Sequence, residues 1–197
     1  MFQVTANEIK NEIKKEKEVY DTCGYAATIL DVLYDEDTQK EISRENFLEQ
    51  LPEALQTAVL VNDFCGPDSF DEAILQVTKW EKDPGKALYY QEKIPWALEN
   101  IGRKDFAILV KEAMSQCEKN GSIDKDTESA LFKFDPRDGD ILDSLAVYIK
   151  KNVDNIVTES YIEKWNKILE KRFVESKPTN TKDYLRRLKK NFPWLNI

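Results

Sequence analysis

Thirty-seven Asp and Glu residues and no histidine set the chemistry open to this chain of 197 residues. Without histidine the commonest general base, metal ligand and physiological pH switch are all missing. Ser-His-Asp and Cys-His nucleophilic catalysis are excluded. Carboxylates remain, and two of them can act as general acid and base, but nothing in the spacing selects a pair. The reading is therefore non-enzymatic, with no catalytic residue named. Asp124-Lys125-Asp126-Thr127-Glu128 opens like a calcium loop. Ser129 stands where such a loop needs glycine, and Asp135 where it needs the bidentate glutamate. An acidic helix start is the simpler reading. Asp135-Pro136-Arg137-Asp138-Gly139-Asp140 reads as a turn and N-cap. No metal site and no cofactor is expected.

The carboxylates that carry a sharper hypothesis lie between residues 35 and 53. Asp35, Glu36, Asp37, Glu41, Glu45, Glu49 and Glu53 share that stretch with only Lys40 and Arg44 as cations. Glu41, Glu45 and Glu49 recur every fourth residue, which predicts one helix face. Like charges at that spacing repel by a few tenths of a kcal/mol per pair. Two readings are open. The face is solvated, or it presents carboxylates on successive turns, about 5.4 Å apart, in imitation of DNA phosphates. On the second reading Asp35, Glu36, Asp37, Glu41, Glu45 and Glu49 form the partner-binding site.

The elements that must position these residues read as helices. Gly and Pro are few, and 41% of residues are hydrophobic against 34% charged. Residues 6–20 carry a thin stripe of Ile9 and Ile13 behind a plausible Asn7 cap. Residues 22–34 align Ala26, Ile29, Leu30 and Leu33. Ser43 caps a short helix, and Pro52 opens the most apolar segment, 53–64, expected at the centre. Ser69 or Asp68 caps a helix reaching Trp80. A helix over about 85–101 contains Pro95, which predicts a kink or a split, and Gly102 stops it. Residues 103–118 repeat Phe106, Leu109, Val110, Ala113 and Met114 at helical period. Residues 123–140 fit either an extended piece or a helix end. Helices over about 140–151 and 155–175 follow, and Lys177-Pro178-Thr179-Asn180 links to a last basic helix.

Charge divides the chain. Residues 161–197 hold ten Lys or Arg and four acidic residues, net +6, so with −8 overall residues 1–160 carry −14. Such a body steers towards a basic partner and away from nucleic acid. Arg186, Arg187, Lys189 and Lys190 beside Tyr184, Phe192 and Trp194 resemble a nucleic-acid patch with stacking aromatics. The acidic body would repel a polyanion, which favours docking of these aromatics on the body. Cys23, Cys65 and Cys117 are widely spaced, as expected of buried free thiols of a cytoplasmic protein. No apolar run is long enough for a membrane span.

Three pieces within residues 51–152 carry a family likeness. Leu51-Pro52-Glu53-Ala54-Leu55 opens an apolar helix. Ala97-Leu98-Glu99-Asn100-Ile101-Gly102 leads into Phe106-Ala107-Ile108-Leu109 and Ala113. Phe134-Asp135-Pro136 precedes Leu142, Leu145, Tyr148 and Ile149. The pattern resembles a bacterial domain family that includes a dimeric, acidic, all-helical DNA mimic. Where that family carries Asn-Gly-Gly-Phe, this chain reads Gly66-Pro67-Asp68-Ser69-Phe70 and keeps only the Phe. The resemblance implies an all-α fold, a homodimer, and binding to the DNA-reading surface of another protein.

The expectation is a single compact all-α domain of about nine or ten helices over residues 1–176, with a basic C-terminal segment, 177–197, packed on it or projecting. Its function is to block a basic surface, either of a DNA-binding protein or, as an immunity or anti-toxin protein, of a nuclease cleft. A third class is an RNA-associated protein that uses its basic end.

Overall fold

The computed structural model describes residues 3–67, 69–78, 84–134 and 140–175. Trp80, the turn over 135–139 and the basic segment 177–197 lie outside these. Twelve α-helices and no strand occur among the described residues. They are α1 (Ala6–Lys15), α2 (Val19–Leu33), α3 (Glu36–Glu41), α4 (Arg44–Leu48), α5 (Glu53–Phe64), α6 (Phe70–Thr78), α7 (Pro84–Asn100), α8 (Lys104–Asn120), α9 (Lys125–Leu131), α10 (Asp140–Lys151), α11 (Val153–Ile156) and α12 (Glu159–Glu175). The all-α expectation holds, and the count exceeds it through the short α3, α9 and α11.

The middle is α5, where every residue from Ala54 to Val61 is buried. A helix apolar all round must be covered on every side, and α2, α7, α10 and α11 cover it. Its two buried polar side chains are satisfied. Gln56 Nε2 donates to the Leu48 carbonyl at 3.1 Å, and Thr57 Oγ1 accepts from Asn100 Nδ2 at 3.0 Å. Beyond α7 lies α8, which carries α6 and α9. Phe64, Phe70, Phe106 and Phe134 meet there, with Phe106 centred 4.6 Å from Phe70 and 4.7 Å from Phe134. Phe70 is thus a core residue. At the other end α12 lies on α2, and α1 on α11. Asn166 clamps Val4 from both sides, accepting from its N–H at 2.8 Å and donating to its carbonyl at 3.0 Å.

Two local expectations, the α1 cap and the helix over 155–175, are corrected, and two that were left between alternatives are narrowed. The α1 cap is Thr5, not Asn7. Thr5 Oγ1 accepts from Glu8 N, and Glu8 accepts from Thr5 N at 2.8 Å, so this pair satisfies two terminal N–H groups at once. Pro95 does not split α7. It removes one donor, but Ile94, Ala97 and Leu98 beside it are fully buried and hold the helix together. The segment over 123–134 is helix α9 and its end, with Asp124 Oδ1 accepting from Thr127 N at 2.8 Å and Asp126 N at 3.1 Å. The helix expected over 155–175 is interrupted at Val157, which is extended and buried, and Thr158 Oγ1 accepts from Tyr161 N at 3.2 Å. Gly102, at φ 87°, ends α7 as expected, with Arg103 N donating to the Leu98 carbonyl at 2.9 Å.

Candidate functional site

The acidic stretch does not form one helix. Ile42 and Ser43 are both extended, so α3 ends at Glu41 and α4 begins at Arg44. The cause is local. Ser43 Oγ accepts from Asn46 N and starts a new helix, while β-branched Ile42 takes the extended conformation it prefers. Glu41, Glu45 and Glu49 therefore do not line one face, which corrects the spacing argument for a row of carboxylates.

Each of the six expected binding residues has a different environment. Asp35 is the α3 N-cap. It accepts from Thr38 N at 3.0 Å, Thr38 Oγ1 at 2.7 Å and Lys164 Nζ at 3.1 Å. Partial burial pushes its carboxyl up, but the Thr38 and Lys164 bonds outweigh that and hold it down at about 2. Lys164 also donates to the Leu33 carbonyl at 2.7 Å, so one ammonium from α12 closes the α2–α3 corner. Glu36 and Asp37 sit in the first turn of α3, where the helix dipole favours acids. Asp37 pairs with Lys40 at 2.8 Å. Glu45 pairs with Lys86 at 3.4 Å and Glu49 with Lys93 at 2.7 Å, which ties α4 to α7. Lys93 also lies over the Trp96 ring at 5.3 Å. Glu36 and Glu41 are exposed and have no ion-pair partner among the described residues.

Of the six, then, four are bound to cations of this same chain and two have no ion pair among the described residues. Unpaired carboxylate is richer on the neighbouring α2. Glu18, Asp21 and Asp31 are exposed along it, and none has an ion-pair partner among the described residues. With Glu36 and Glu41 they make five exposed carboxylates on or beside α2 and α3. Sequence reasoning passed over those on α2 because the charge density of 35–53 drew attention to residues of which four are paired with Lys40, Lys86, Lys93 and Lys164.

A second feature left no signal in the sequence. Arg44 Nη2 meets Asp63 Oδ2 at 2.5 Å, and Arg44 Nη1 donates to the Tyr90 hydroxyl at 3.1 Å. Burial disfavours the guanidinium charge, but Asp63 and Tyr90 more than compensate and keep Arg44 a cation. Burial pushes the Asp63 carboxyl up, and Arg44 pulls it back. Asp63 keeps 36% of its side chain exposed, so solvent and the close guanidinium together favour the ionised pair. This pair stands at the mouth of a cleft of about 380 Å³ between α5, α6 and α7, walled by Phe64, Ala73, Val77 and Ile94.

Catalytic equipment is sparse. Among the described residues no three His, Cys, Asp or Glu side chains gather where they could hold a metal ion. All three cysteines are free and buried. Burial pushes the Cys23 and Cys65 thiols up to about 12, the opposite of what a nucleophilic thiolate needs. No described helix is long and apolar enough to cross a membrane. The chain matches no family model, no curated protein and no solved structure.

Proposed function

We propose that the protein is a non-enzymatic acidic binding domain that occupies a basic surface of another protein, where that surface would otherwise meet nucleic acid. The observation that carries this reading is the set of carboxylates Glu18, Asp21, Asp31, Glu36 and Glu41 on or beside α2 and α3, exposed and without ion pairs among the described residues. Some exposed carboxylates pair with this protein's own cations, as at Asp37, Glu49 and Asp154, and others, such as Glu72, Glu92, Glu112 and Asp143, are like these five in having no ion pair among the described residues. Exposed carboxylates on a body of −14 act at long range, and they speed encounter with a basic partner more than they add affinity. The resemblance to a family with a DNA mimic agrees with this reading.

The test starts with the complex isolated from the native host and its partner identified by mass spectrometry. Association is then measured from 50 to 500 mM salt, for the parent and for a variant carrying Asp21→Asn, Asp31→Asn, Glu36→Gln and Glu41→Gln. The expected result is an association rate that falls steeply with salt, drops at least tenfold in the variant, and a partner that cannot hold duplex DNA at the same time. A nuclease toxin as partner would select the immunity form of the same reading. A complex indifferent to salt and to the four substitutions would refute it.

A further inference from the structure

The Arg44–Asp63 pair leaves half of a carboxylate unused. A carboxylate has about four lone-pair sites. Arg44 takes one on Oδ2, and Oδ1 accepts nothing from the described residues. The Asn62 carboxamide, on the same rim, makes no side-chain hydrogen bond among the described residues, and Gln76 uses only its Nε2, donating to Glu72 at 3.4 Å. The rim therefore offers three oxygens that can accept. Its one guanidinium is already committed to Asp63 and the Tyr90 hydroxyl. The cleft is about 380 Å³ in volume, and Leu60, Phe64, Ala73, Val77 and Ile94 supply the apolar part of its lining.

Acceptors at the mouth and a slot of methylene-compatible walls fit one side chain best. We propose that this cleft seats an arginine of the basic partner, its guanidinium on Asp63 Oδ1 and the rim carboxamides, its methylenes against Pro67 and Val77. The proposal rests on the acidic-domain reading and adds to it a specific docking point. Arginine suits better than lysine because its planar fork reaches several acceptors at once and is more weakly hydrated. An anion is disfavoured, because Asp63 would repel it and Arg44 is occupied. Asp31 adds to the local demand for a cation: after burial and the opposing pull of Arg44, its carboxylate is a further influence raising Asp63.

The probe is the peptide acetyl-Gly-Arg-Gly-amide, titrated into the full chain and followed by backbone amide shifts, with the isosteric citrulline peptide as control. Saturable shifts centred on residues 62–66 and 73–77, with at least tenfold weaker binding of the citrulline peptide, are expected. Gln76 is exposed on α6, so Gln76→Arg leaves the core intact and places a guanidinium of the chain's own at the rim. That variant should bind the arginine peptide at least tenfold more weakly with an unchanged melting temperature. Shifts spread over α2 and α3 without a maximum at the cleft, or equal binding by Gln76→Arg, overturn the proposal. The two readings separate on the purified partner. If Gln76→Arg binds it as tightly as the parent and with the same salt dependence, the arginine seat falls and the acidic binding domain stands. If the partner complex ignores salt, the acidic-domain reading falls, whatever the peptide does.

Discussion

Replacing Asp35 tests whether the acidic segment begins with a structural residue or with a binding one. Asp35→Ala removes an N-cap that accepts from Thr38 N at 3.0 Å, and an ion pair to Lys164 at 3.1 Å. Loss of a cap costs about 1 kcal/mol, within a range of roughly 0.5–2. The ion pair lies at the low end of its range, about 0.5 kcal/mol, because its side chains are 34% and 43% exposed. Lys164 keeps its bonds to the Leu33 carbonyl and Thr38 Oγ1, so no ammonium is stranded. The total is about 1.5 kcal/mol, or a fall in Tm of roughly 3–6 °C for a domain of this size. Asp35→Asn keeps a capping oxygen and loses only the charge, at about 0.5 kcal/mol. The pH dependence has a definite sign. The folded carboxyl is depressed to about 2, below an unfolded value near 4. Its contribution is complete above roughly pH 4 and is lost as pH falls through about 2. The gap between parent and Asp35→Asn should therefore close over that window. Urea titrations followed by circular dichroism at pH 7, 4 and 2.5 measure all three proteins. Equal losses for Ala and Asn at pH 7, or a gap between parent and Asp35→Asn as wide at pH 2.5 as at pH 7, would refute the reasoning.

Two further outcomes follow from the core. Phe106→Ala removes the ring shared by Phe64, Phe70 and Phe134 and should cost about 3–5 kcal/mol, read as a shift of the denaturation midpoint; a loss under 1 kcal/mol would show that the cluster is not packed as described. Cys23 and Cys65, buried and pushed up to about 12, should resist a thiol reagent at pH 8 in the folded protein and react fully in denaturant; rapid native reaction at either would contradict their burial.

The helical class was legible because apolar residues recur at helical period in nearly every segment. The central place of α5 was legible because Ala54, Leu55, Ala58, Val59, Val61 and Phe64 make residues 53–64 the most apolar segment. Gly102 and Ser43 were readable from single-residue chemistry, since one needs a positive φ and the other supplies a capping oxygen. The errors came where tertiary partners decide. Of the kink or split expected at Pro95 the split does not occur, and buried neighbours on both sides hold α7 together. Spacing by fours suggested one helix through Glu41, Glu45 and Glu49, but Ser43 competes for the backbone between them. The candidate site was least legible. Nothing near residues 35–49 tells that Lys86, Lys93 and Lys164 will fold back to neutralise it, and Arg44 and Asp63 meet across 19 positions with no periodicity to announce them.

The closing contacts also order events in time. The buried face of α2, with Cys23, Ala26, Ile29 and Leu33, packs on α10 and α12, and Val4 waits for Asn166. On a ribosome those partners emerge more than a hundred residues later. At roughly 5–20 residues per second this leaves an apolar helix uncovered for about 6–25 s. During that interval the nascent N-terminal helices depend on α5 alone, or on a chaperone, for shelter, so final locking of this fold waits until α12 has emerged.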